Sequence, residues 1–332
     1  MFEDELKKNL NSQCLEKCFY WQQNHLKGSF TWSSFLAESN MKKKQKYQLL
    51  DTGNFKKLEQ VGPYRLIRPA AQAVWSPSLG GSEWINADAE FVRSKQGEGR
   101  WEYKNKNLPS QWKIDFFYDL KMFIKLTDFG HIGIFPEHHE GSQLQEIIRS
   151  HKGLGEFRIL NLFAYTGAIS LLAASLGAHV THVDASKTSV QWAKENAKLC
   201  DKPLNIRWIV DDVKKFCARE LRRNSYYDAI ILDPPSFGRG PKGEIWKIEE
   251  DIDPFLENLK KLLKKDSSFV QLSAHSPGFT PLVLKNLLSS KIKGSEKEFA
   301  SFEMTIKEQS KDRLFPCGAC CLFAKNSRGM DG

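Results

Sequence analysis

The sequence of 332 residues lacks the features of several large classes of protein. No stretch approaches the roughly 18 to 20 consecutive apolar residues that a membrane-spanning helix needs. The first eight residues, MFEDELKK, place acids where a secretory signal peptide carries cations, and no apolar segment follows them. We therefore expect a cytoplasmic protein that is neither secreted nor inserted into a membrane.

A cysteine framework is also lacking. The seven cysteines are odd in number and scattered along the chain, which favours a reducing compartment over a set of disulfides. Cys14 and Cys18 are close in sequence, as are Cys317, Cys320 and Cys321, but neither group has a second Cys or His pair at zinc-finger distance. We predict no metal site and interpret the thiols as small apolar side chains.

The composition is that of a globular protein with a sizeable core, at 41% hydrophobic and 27% charged residues. The 49 basic and 40 acidic residues give a net charge of +9, spread along the chain without one dominant patch. Such a charge permits a polyanionic partner such as RNA but does not demonstrate one.

Three regions differ in character. Residues 1–46 are polar, are predicted to be helical, and end in the run KKKQK, which we interpret as a solvated linker. Residues 47–150 contain short alternations of apolar and polar residues between turns, which predict a small β-rich accessory or substrate domain. In residues 151–332, buried strands alternate with helices of about 10 to 15 residues, which predicts an α/β fold with a doubly wound, mostly parallel sheet. Strand-like runs near 299–306 and 320–324 are expected to complete this sheet as an antiparallel edge pair.

Ligands of such a sheet bind beyond the carboxyl ends of its strands. The turn after the first strand, at residues 163–168, has one glycine where a dinucleotide-binding protein has G-x-G-x-x-G, which argues against NAD or FAD. Asp184 ends the second strand, 17 residues after Gly167, and is placed to accept the hydroxyls of a ribose. Asp212 follows the third strand, either as an acceptor for an adenine amino group or as the N-cap of the next helix.

The fourth strand leads into Asp233-Pro234-Pro235-Ser236-Phe237. The prolines fix the backbone and have no amide donors, so their carbonyls are expected to face the site. Asp233 adds an acceptor, and Phe237 offers a ring for stacking. Acceptors for a ribose and an adenine, without a phosphate-binding turn, indicate S-adenosylmethionine (SAM) as the cofactor.

With these motifs in place, the sequence resembles the class I SAM-dependent methyltransferases, and within them the bacterial group related to the 23S rRNA cytosine-C5 methyltransferases. The resemblance covers roughly residues 47–325. It is carried by the motifs LNLFAYTG (160–167), THVDASK (181–187), DPPSF (233–237) and GPKGEIWK (240–247), with GPYRLIRP (62–69) and GHIGIFPE (130–137) upstream. It implies a seven-stranded, Rossmann-like sheet.

The resemblance also implies a role for individual residues. Phe163, Tyr165, Thr166 and Gly167 would form the wall on the methionine side; Asp184, Ala185 and Ser186 would hold the ribose, and Asp212 and Val213 the adenine. Asp233, Pro234, Pro235 and Phe237 would face the methyl group and its acceptor, and Phe135 and Glu137 would lie over the cofactor.

The sequence departs from related groups at two points. Ser236 separates Pro235 from Phe237, whereas amino-group methylases with an Asp-Pro-Pro-Tyr motif place the aromatic directly after the second proline. Cytosine-C5 methylation needs a cysteine nucleophile, and none stands directly after Pro235. For Cys317, Cys320 and Cys321 we favour a thiol-rich final strand over a catalytic role.

These observations predict a methyltransferase that acts on a base of ribosomal RNA. A methyltransferase acting on a protein or a small molecule is the alternative, since no RNA-binding module is recognisable; an NAD-dependent oxidoreductase and a non-catalytic RNA-binding protein fit less well. The helix at residues 214–223, with five cations and one acid, is interpreted as a solvated face, with phosphate binding as its alternative. The sequence does not indicate an oligomeric state.

Overall fold

The structure is a computed structural model that describes residues 46–93, 99–116, 120–140, 144, 147–149, 155–265 and 269–325. The predicted N-terminal helical region with Cys14 and Cys18, and residues 42–45 of the basic run, lie outside the described residues. None of the helices in the described ranges has the length and apolar character needed to cross a lipid bilayer.

A β-rich region comes first. Its five-stranded sheet is formed by β1 (Tyr47–Gly53), β2 (Lys56–Val61), β3 (Tyr64–Pro69), β4 (Ala89–Arg93) and β5 (Gly99–Tyr103), in that order. All neighbours are antiparallel except β3 and β4. The short helix α1 (Gly81–Ile85) precedes β4, and β6 (Trp112–Asp115) and β7 (Lys121–Ile124) form a separate antiparallel pair.

The predicted doubly wound sheet is confirmed. Its seven strands are β8 (Arg158–Leu162), β9 (His179–Asp184), β10 (Ile206–Val210), β11 (Ala229–Leu232), β14 (Phe269–Ala274), β15 (Phe299–Lys307) and β16 (Leu314–Ala324), in the order β10-β9-β8-β11-β14-β16-β15. The first five are parallel, and β16 runs antiparallel to both β14 and β15. The expected antiparallel edge pair is therefore present.

Helices follow the parallel strands, as the sequence pattern predicts. They are α2 (Ala168–Ser175), α3 (Lys187–Ala197), α4 (Val213–Arg222), α5 (Ile248–Leu259) and α6 (Pro281–Lys291), with short 3-10 turns at Pro136–Glu140, Lys260–Leu262 and Glu296–Glu298. Local chemistry sets the starts of several: Ser186 caps α3, and Thr280 caps α6 with Pro281 at the first helical position. A second hairpin, β12 (Phe237–Arg239) and β13 (Ile245–Lys247), lies between β11 and α5.

The order of the strands fixes where a ligand can bind. The chain moves from β8 outward to β9 and β10, then returns to place β11 on the other side of β8. Helices that follow β8 and β11 therefore diverge, which leaves a crevice beyond the carboxyl ends of these two strands. Apolar residues on both faces, Leu160 and Ile230 on one and Ile159 and Ile231 on the other, bury the strands beneath that crevice.

The β-rich region packs directly on the doubly wound sheet. Met122 and Ile132 share one buried apolar cluster with Leu171 and Leu172 of α2. The boundary predicted between residues 150 and 151 lies outside the described residues and stays a prediction.

Candidate active site

The turn after β8 has an unusual backbone. Phe163, Tyr165 and Gly167 all have positive φ angles, of 55°, 49° and 88°. For the two non-glycine residues this conformation costs roughly 1–3 kcal/mol each and persists only where the surroundings enforce it. Here the carbonyl of Thr166 accepts a hydrogen bond of 3.0 Å from the Asn196 side chain. The strained turn leads directly into α2.

Asp184 ties this turn to the next strand. Its Oδ2 accepts a hydrogen bond of 2.8 Å from the backbone N–H of Tyr165, and its Oδ1 accepts one of 2.8 Å from the N–H of Ser186. Burial raises the pKa of Asp184, and the two backbone donors oppose that rise. Each carboxylate oxygen has two lone pairs, so the side chain retains acceptor capacity for a ligand. Ala185 lies between Asp184 and Ser186 in the chain.

Asp212 is a helix cap in the structure. It is buried and accepts a hydrogen bond of 2.9 Å from the backbone N–H of Lys215. The buried Val213 follows it as the first residue of α4. The backbone of Asp211 donates to the carbonyl of Asp184, so the ends of β9 and β10 lie side by side. The N-cap interpretation of Asp212 is confirmed, and its contact with adenine stays a prediction.

A cleft of about 420 Å³ lies beyond the end of β8. Its lining includes six of the predicted site residues: Phe135, Phe163, Tyr165, Thr166, Gly167 and Asp233. The rings of Phe135 and Tyr165 are 5.5 Å apart at their centres. Asp184 borders the cleft through its bond to Tyr165, whereas Glu137, 7% exposed, lines an adjoining cavity.

Asp233 has partners that the sequence did not reveal. Its Oδ2 lies 3.1 Å from Nε2 of His138, and its Oδ1 accepts a hydrogen bond of 2.7 Å from Ser273 and lies 3.5 Å from Nε2 of His275. Burial alone would raise the pKa of Asp233. The charges of His275 and His138 and their hydrogen bonds outweigh burial and hold that pKa well below its usual range.

His275 is the cationic member of this group. Burial lowers its pKa, but Asp233, Glu137 and the carbonyl of Cys317 together raise it to about 10. Its Nδ1 lies 3.0 Å from the carbonyl oxygen of Cys317 and 3.6 Å from Oε1 of Glu137. The site therefore holds an ionised aspartate against a protonated imidazole.

The side chains of His138, Asp233 and His275 are of metal-ligating type, and their ligand atoms lie within 4.8 Å of one another. In this structure these side chains contact one another directly, and Asp233 also accepts a hydrogen bond from Ser273. We call Asp233, His138, Ser273 and His275 the Asp233 cluster.

A strand-end signal was available for His275. It directly follows β14, the fifth parallel strand along the chain, so it reaches the same edge of the sheet as Asp233. His138 follows the Phe135-Pro136-Glu137 segment, but nothing in its spacing from Asp233, 95 residues away, indicates their contact.

The structure shows the surroundings of Pro235 and Phe237, which lie just before and at the start of the β12–β13 hairpin. The indole of Trp246 donates a hydrogen bond of 2.9 Å to the carbonyl of Pro235. This carbonyl is therefore engaged by Trp246, and its predicted orientation towards the site stays a prediction. Phe237 is 51% exposed on the outer face of the hairpin and is not in the lining of the cleft.

The C-terminal cysteines lack the properties of a nucleophile. Cys320 and Cys321 are buried in β16, and burial raises the pKa of Cys321 to about 11. Burial also raises the pKa of Cys317, whose Sγ is 3.6 Å from the carbonyl of Phe315. The raised pKa values of Cys317 and Cys321 disfavour a thiolate at these two positions, in agreement with a thiol-rich final strand.

Comparisons with known proteins identify relatives of this chain. The family model described as "Conserved hypothetical protein 95" matches residues 142–293. The ribosomal RNA large subunit methyltransferase K/L of Pseudoalteromonas atlantica is 32% identical over 176 residues, which are 52% of this chain and 24% of that protein. The protein of the same name from Alteromonas mediterranea is 30% identical over 190 residues, 57% of this chain and 26% of that one. The chain thus spans about a quarter of the length of these curated relatives.

A solved structure matches over a much larger share. The crystal structure of the SAM-dependent methyltransferase from Agrobacterium tumefaciens is 36% identical, with a TM-score of 0.77. The match covers 84% of this chain and 90% of that one. The likeness includes the β-rich region as well as the doubly wound sheet.

Proposed function

The chain belongs to the class I SAM-dependent methyltransferases, and from this premise we propose that it transfers a methyl group from SAM to a base of ribosomal RNA. The matching K/L relatives are named for ribosomal RNA of the large subunit. A cytoplasmic location, where ribosomal RNA is found, is part of the proposal.

The cleft and its borders supply a site for SAM. In the proposal, the turn after β8 receives the methionine end, Asp184 with Ala185 and Ser186 holds the ribose, and Asp212 with Val213 meets the adenine. Phe135 and Glu137 close the cofactor from the β-rich side. This placement is supported by the hydrogen bond of 2.8 Å that joins the Asp184 carboxylate to the strained turn. When bound, SAM supplies an electrophilic methyl group on a sulfonium, and the protein aligns the acceptor with it.

The outer face of the β12–β13 hairpin is the proposed contact surface for the RNA. Cross-strand pairing places Phe237 and Arg239 on the same face as Ile245 and Lys247, and all four side chains are exposed. The guanidinium of Arg239 lies 5.8 Å from the ring centre of Phe237. An exposed aromatic ring beside a cation suits an unstacked base and its phosphate. This face begins four residues after Asp233, next to the cleft.

Helix α4 is a poorer candidate for RNA contact. Lys214, Lys215, Arg219 and Arg223 each form an ion pair with a carboxylate of this chain. Their charge is therefore largely balanced within the protein, which supports the interpretation of α4 as a solvated face.

Labelled methyl transfer tests the proposal. The purified protein and radiolabelled SAM are incubated with total RNA, total protein and small metabolites from cells that lack the gene. We expect label in ribosomal RNA. Label in the protein or metabolite fraction, with none in RNA, would overturn the RNA proposal and support the alternative acceptor class.

A further inference from the structure

One end of the five-stranded sheet borders the cleft and carries exposed aromatic rings. We propose that this end is a second contact surface for the RNA. Phe129 and Phe55 stack on unpaired bases that flank the acceptor base, and Arg93 contacts a phosphate of the same segment. This role rests on the proposed function, because it takes RNA as the substrate.

Strand pairing brings the β1–β2 turn and the end of β4 together. Strands β3 and β4 run parallel, so Pro69 at the end of β3 and Arg93 at the end of β4 lie at the same end of the sheet. Strand β2 begins there, because Lys56 pairs with Pro69. The backbone N–H of Ala70 donates a hydrogen bond of 2.8 Å to the carbonyl of Phe55. Phe55 and Arg93 therefore belong to one end of the sheet.

A tight turn at residues 127–131 packs against the same end. Gly130 has a φ of 79°, and a Cβ atom there would lie only 2.6 Å from the ring of Phe91 in β4. The turn thus lies on the face of β4 to which Phe91 points. Arg93 follows Phe91 by two residues, and side chains two apart in a strand share a face. The side chain of Arg93 is therefore on the face that meets the turn.

Phe129 stands on this turn with its ring in solvent. The indole of Trp101 donates a hydrogen bond of 2.8 Å to the carbonyl of Thr127, and Arg68 donates one of 3.1 Å to the carbonyl of Gly130. The turn is thus fixed on both sides of Phe129, which is 77% exposed, more than any other large apolar residue in the described part of the chain. A ring on a fixed backbone loses little conformational freedom when a base stacks on it.

Phe55 is a second exposed ring on a fixed turn. Its φ of 62° is unfavourable for a residue other than glycine and persists only where the surroundings enforce it. Its backbone N–H donates a hydrogen bond of 2.8 Å to the carbonyl of Ala73, and the N–H of Asn54 donates one of 2.7 Å to that of Trp75. Phe55 is nevertheless 59% exposed, so these bonds hold an aromatic side chain in solvent rather than in the core.

His131 connects the turn to the cleft. Its ring lies 5.8 Å from that of Phe135 and 6.4 Å from that of Tyr165, and both of these residues line the cleft. The ring of Phe135 also lies 5.5 Å from that of His275 in the Asp233 cluster. An RNA strand with one base in the cleft therefore has neighbouring nucleotides within reach of Phe129, two residues before His131.

The charges at this end suit a stacked contact with one phosphate. Burial and the charges of Arg68 and Arg93 lower the pKa of His131 to about 4, so its ring is neutral at pH 7. Arg68 is engaged by Glu59, whereas Arg93 is exposed and has no ion-pair partner within the described residues. Asp128 is the exposed acid of the turn. The cation available to a phosphate is therefore Arg93.

Exposed rings near a cation suit single-stranded RNA. Every unpaired base has a face on which an aromatic ring can stack, whatever its sequence. A double helix keeps its base faces stacked on one another, so it offers no such face to Phe129 or Phe55. The surface therefore fits a loop or an unpaired segment next to the acceptor base.

The kinetics of single variants test this surface. Phe129→Ala removes one ring, and we expect KM for ribosomal RNA from cells lacking the gene to rise about tenfold, with kcat changed less than about twofold. Phe55→Ala should raise KM by about fivefold or more. Arg93→Ala should lower the slope of log affinity against log salt by about one unit. SAM affinity, measured by calorimetry, should stay at the wild-type value in all three variants.

Two further variants separate stacking from folding. Phe129→Tyr keeps the aromatic ring and should keep the wild-type KM for RNA. Ile85→Ala removes an exposed apolar side chain from α1, which precedes β4 and so lies at the other end of the sheet. This matched control should change neither KM nor the salt slope. Thermal unfolding of each variant identifies any that fail to fold, and Phe129→Tyr keeps the comparison available if Phe129→Ala does not fold.

Competition tests the preference for unpaired RNA. A single-stranded oligonucleotide should inhibit methyl transfer to ribosomal RNA more strongly than the duplex formed with its complement. Phe129→Ala should lose most of this preference. An equal preference in the wild-type protein and in Phe129→Ala would contradict stacking on this ring.

The outcomes that overturn this surface differ from those that overturn the proposed function. Label in ribosomal RNA with a wild-type KM in Phe129→Ala, Phe55→Ala and Arg93→Ala would exclude this end of the sheet and leave RNA as the substrate. Label in protein or metabolites but not in RNA would remove the proposed function itself. A wild-type KM together with a smaller oligomer in Phe129→Ala, seen by analytical ultracentrifugation, would make this end an interface between copies of the chain.

Discussion

The indole Nε1–H of Trp246 donates a hydrogen bond of 2.9 Å to the carbonyl oxygen of Pro235. Trp246 is 4% exposed, and its ring packs at 4.8 Å from that of Phe163 and 5.5 Å from that of Phe255. One side chain therefore links the Asp-Pro-Pro segment, the turn after β8 and helix α5. The β12–β13 hairpin is attached to the cleft through its inner face, while its outer face stays exposed.

Trp246→Phe should uncouple the hairpin from the cleft. The ring stacking is largely kept, but the Pro235 carbonyl loses its donor, so we expect a loss of stability of about 1–3 kcal/mol and a fall in methyl transfer. Urea unfolding and kcat on ribosomal RNA measure the two effects. Trp75→Phe, which removes an indole bond to Thr52 in the β-rich region, should reduce stability without lowering kcat. Equal losses of kcat in both variants would refute a specific role for Trp246.

Asp184 is predicted to hold the ribose of SAM. Asp184→Ala removes the acceptor for both hydroxyls, and bonds to a charged group contribute about 1.5–3 kcal/mol, so affinity should fall by at least about tenfold. Calorimetry with SAM and with its demethylated product measures this, and NAD should give no heat with the wild-type protein. Asp253→Ala, at an ion pair with Lys291 on the surface of α5, is the control. Unchanged SAM affinity in Asp184→Ala would exclude Asp184 from the site.

The sequence predicted the doubly wound sheet well because its strands are buried on both faces. Strand β11 is a continuous apolar run, and β8 contains three apolar residues, as is typical of parallel strands covered on both faces. The strand-end rule then located Asp184, Asp212 and Asp233, since the carboxyl ends of parallel strands converge regardless of side-chain detail.

Other parts of the site depend on contacts between distant segments. His138 approaches Asp233 only because the β-rich region packs on α2, and no local pattern encodes that packing. The β12–β13 hairpin has strands of three residues, which are too short to show an alternation, so its sequence predicts no strands there. Its division into a buried face with Trp246 and an exposed face with Phe237 became visible only in the structure.

The buried pair of Glu59 and Arg68 should make stability depend on pH. Burial raises the pKa of Glu59, but Arg68 and Lys57 lower it to about 2, from 4.5 for an unperturbed side chain. A lowered pKa in the folded state means that this contribution is fully present above about pH 4.5 and is lost as pH falls towards 2. The shift corresponds to a contribution on the order of 3 kcal/mol.

Glu59→Gln tests this pair directly. Removing one partner leaves Arg68 buried without its counter-charge, so we expect about 3–5 kcal/mol less stability at pH 7. The difference from wild type should shrink between pH 4.5 and 2, as measured by urea unfolding. Glu102→Gln, at an exposed pair with Arg100, should change stability by less than about 0.5 kcal/mol. A constant difference across the acid range would contradict the assignment.

The outer face of the β12–β13 hairpin should control RNA affinity without affecting SAM. Phe237→Ala removes a ring that is 51% exposed, so folding should be unchanged, while the loss of base stacking should weaken RNA binding by about 1–3 kcal/mol. Arg239→Ala should reduce the slope of log affinity against log salt by about one unit, because one phosphate contact is lost. Filter binding of ribosomal RNA over a series of KCl concentrations measures both, and calorimetry should show wild-type SAM affinity.

Two matched variants decide whether the hairpin or helix α4 meets the RNA. Leu282→Ala removes an exposed apolar side chain, 64% accessible, from helix α6 and should leave RNA binding unchanged. The double variant Arg222→Ala and Arg223→Ala removes two cations from α4, of which Arg223 is already paired with Glu220, and should keep at least most of the wild-type salt slope. If this double variant instead loses about two units of slope while Arg239→Ala loses none, the phosphate contacts lie on α4. The hairpin face would then be excluded as the site of the phosphate contact proposed for Arg239.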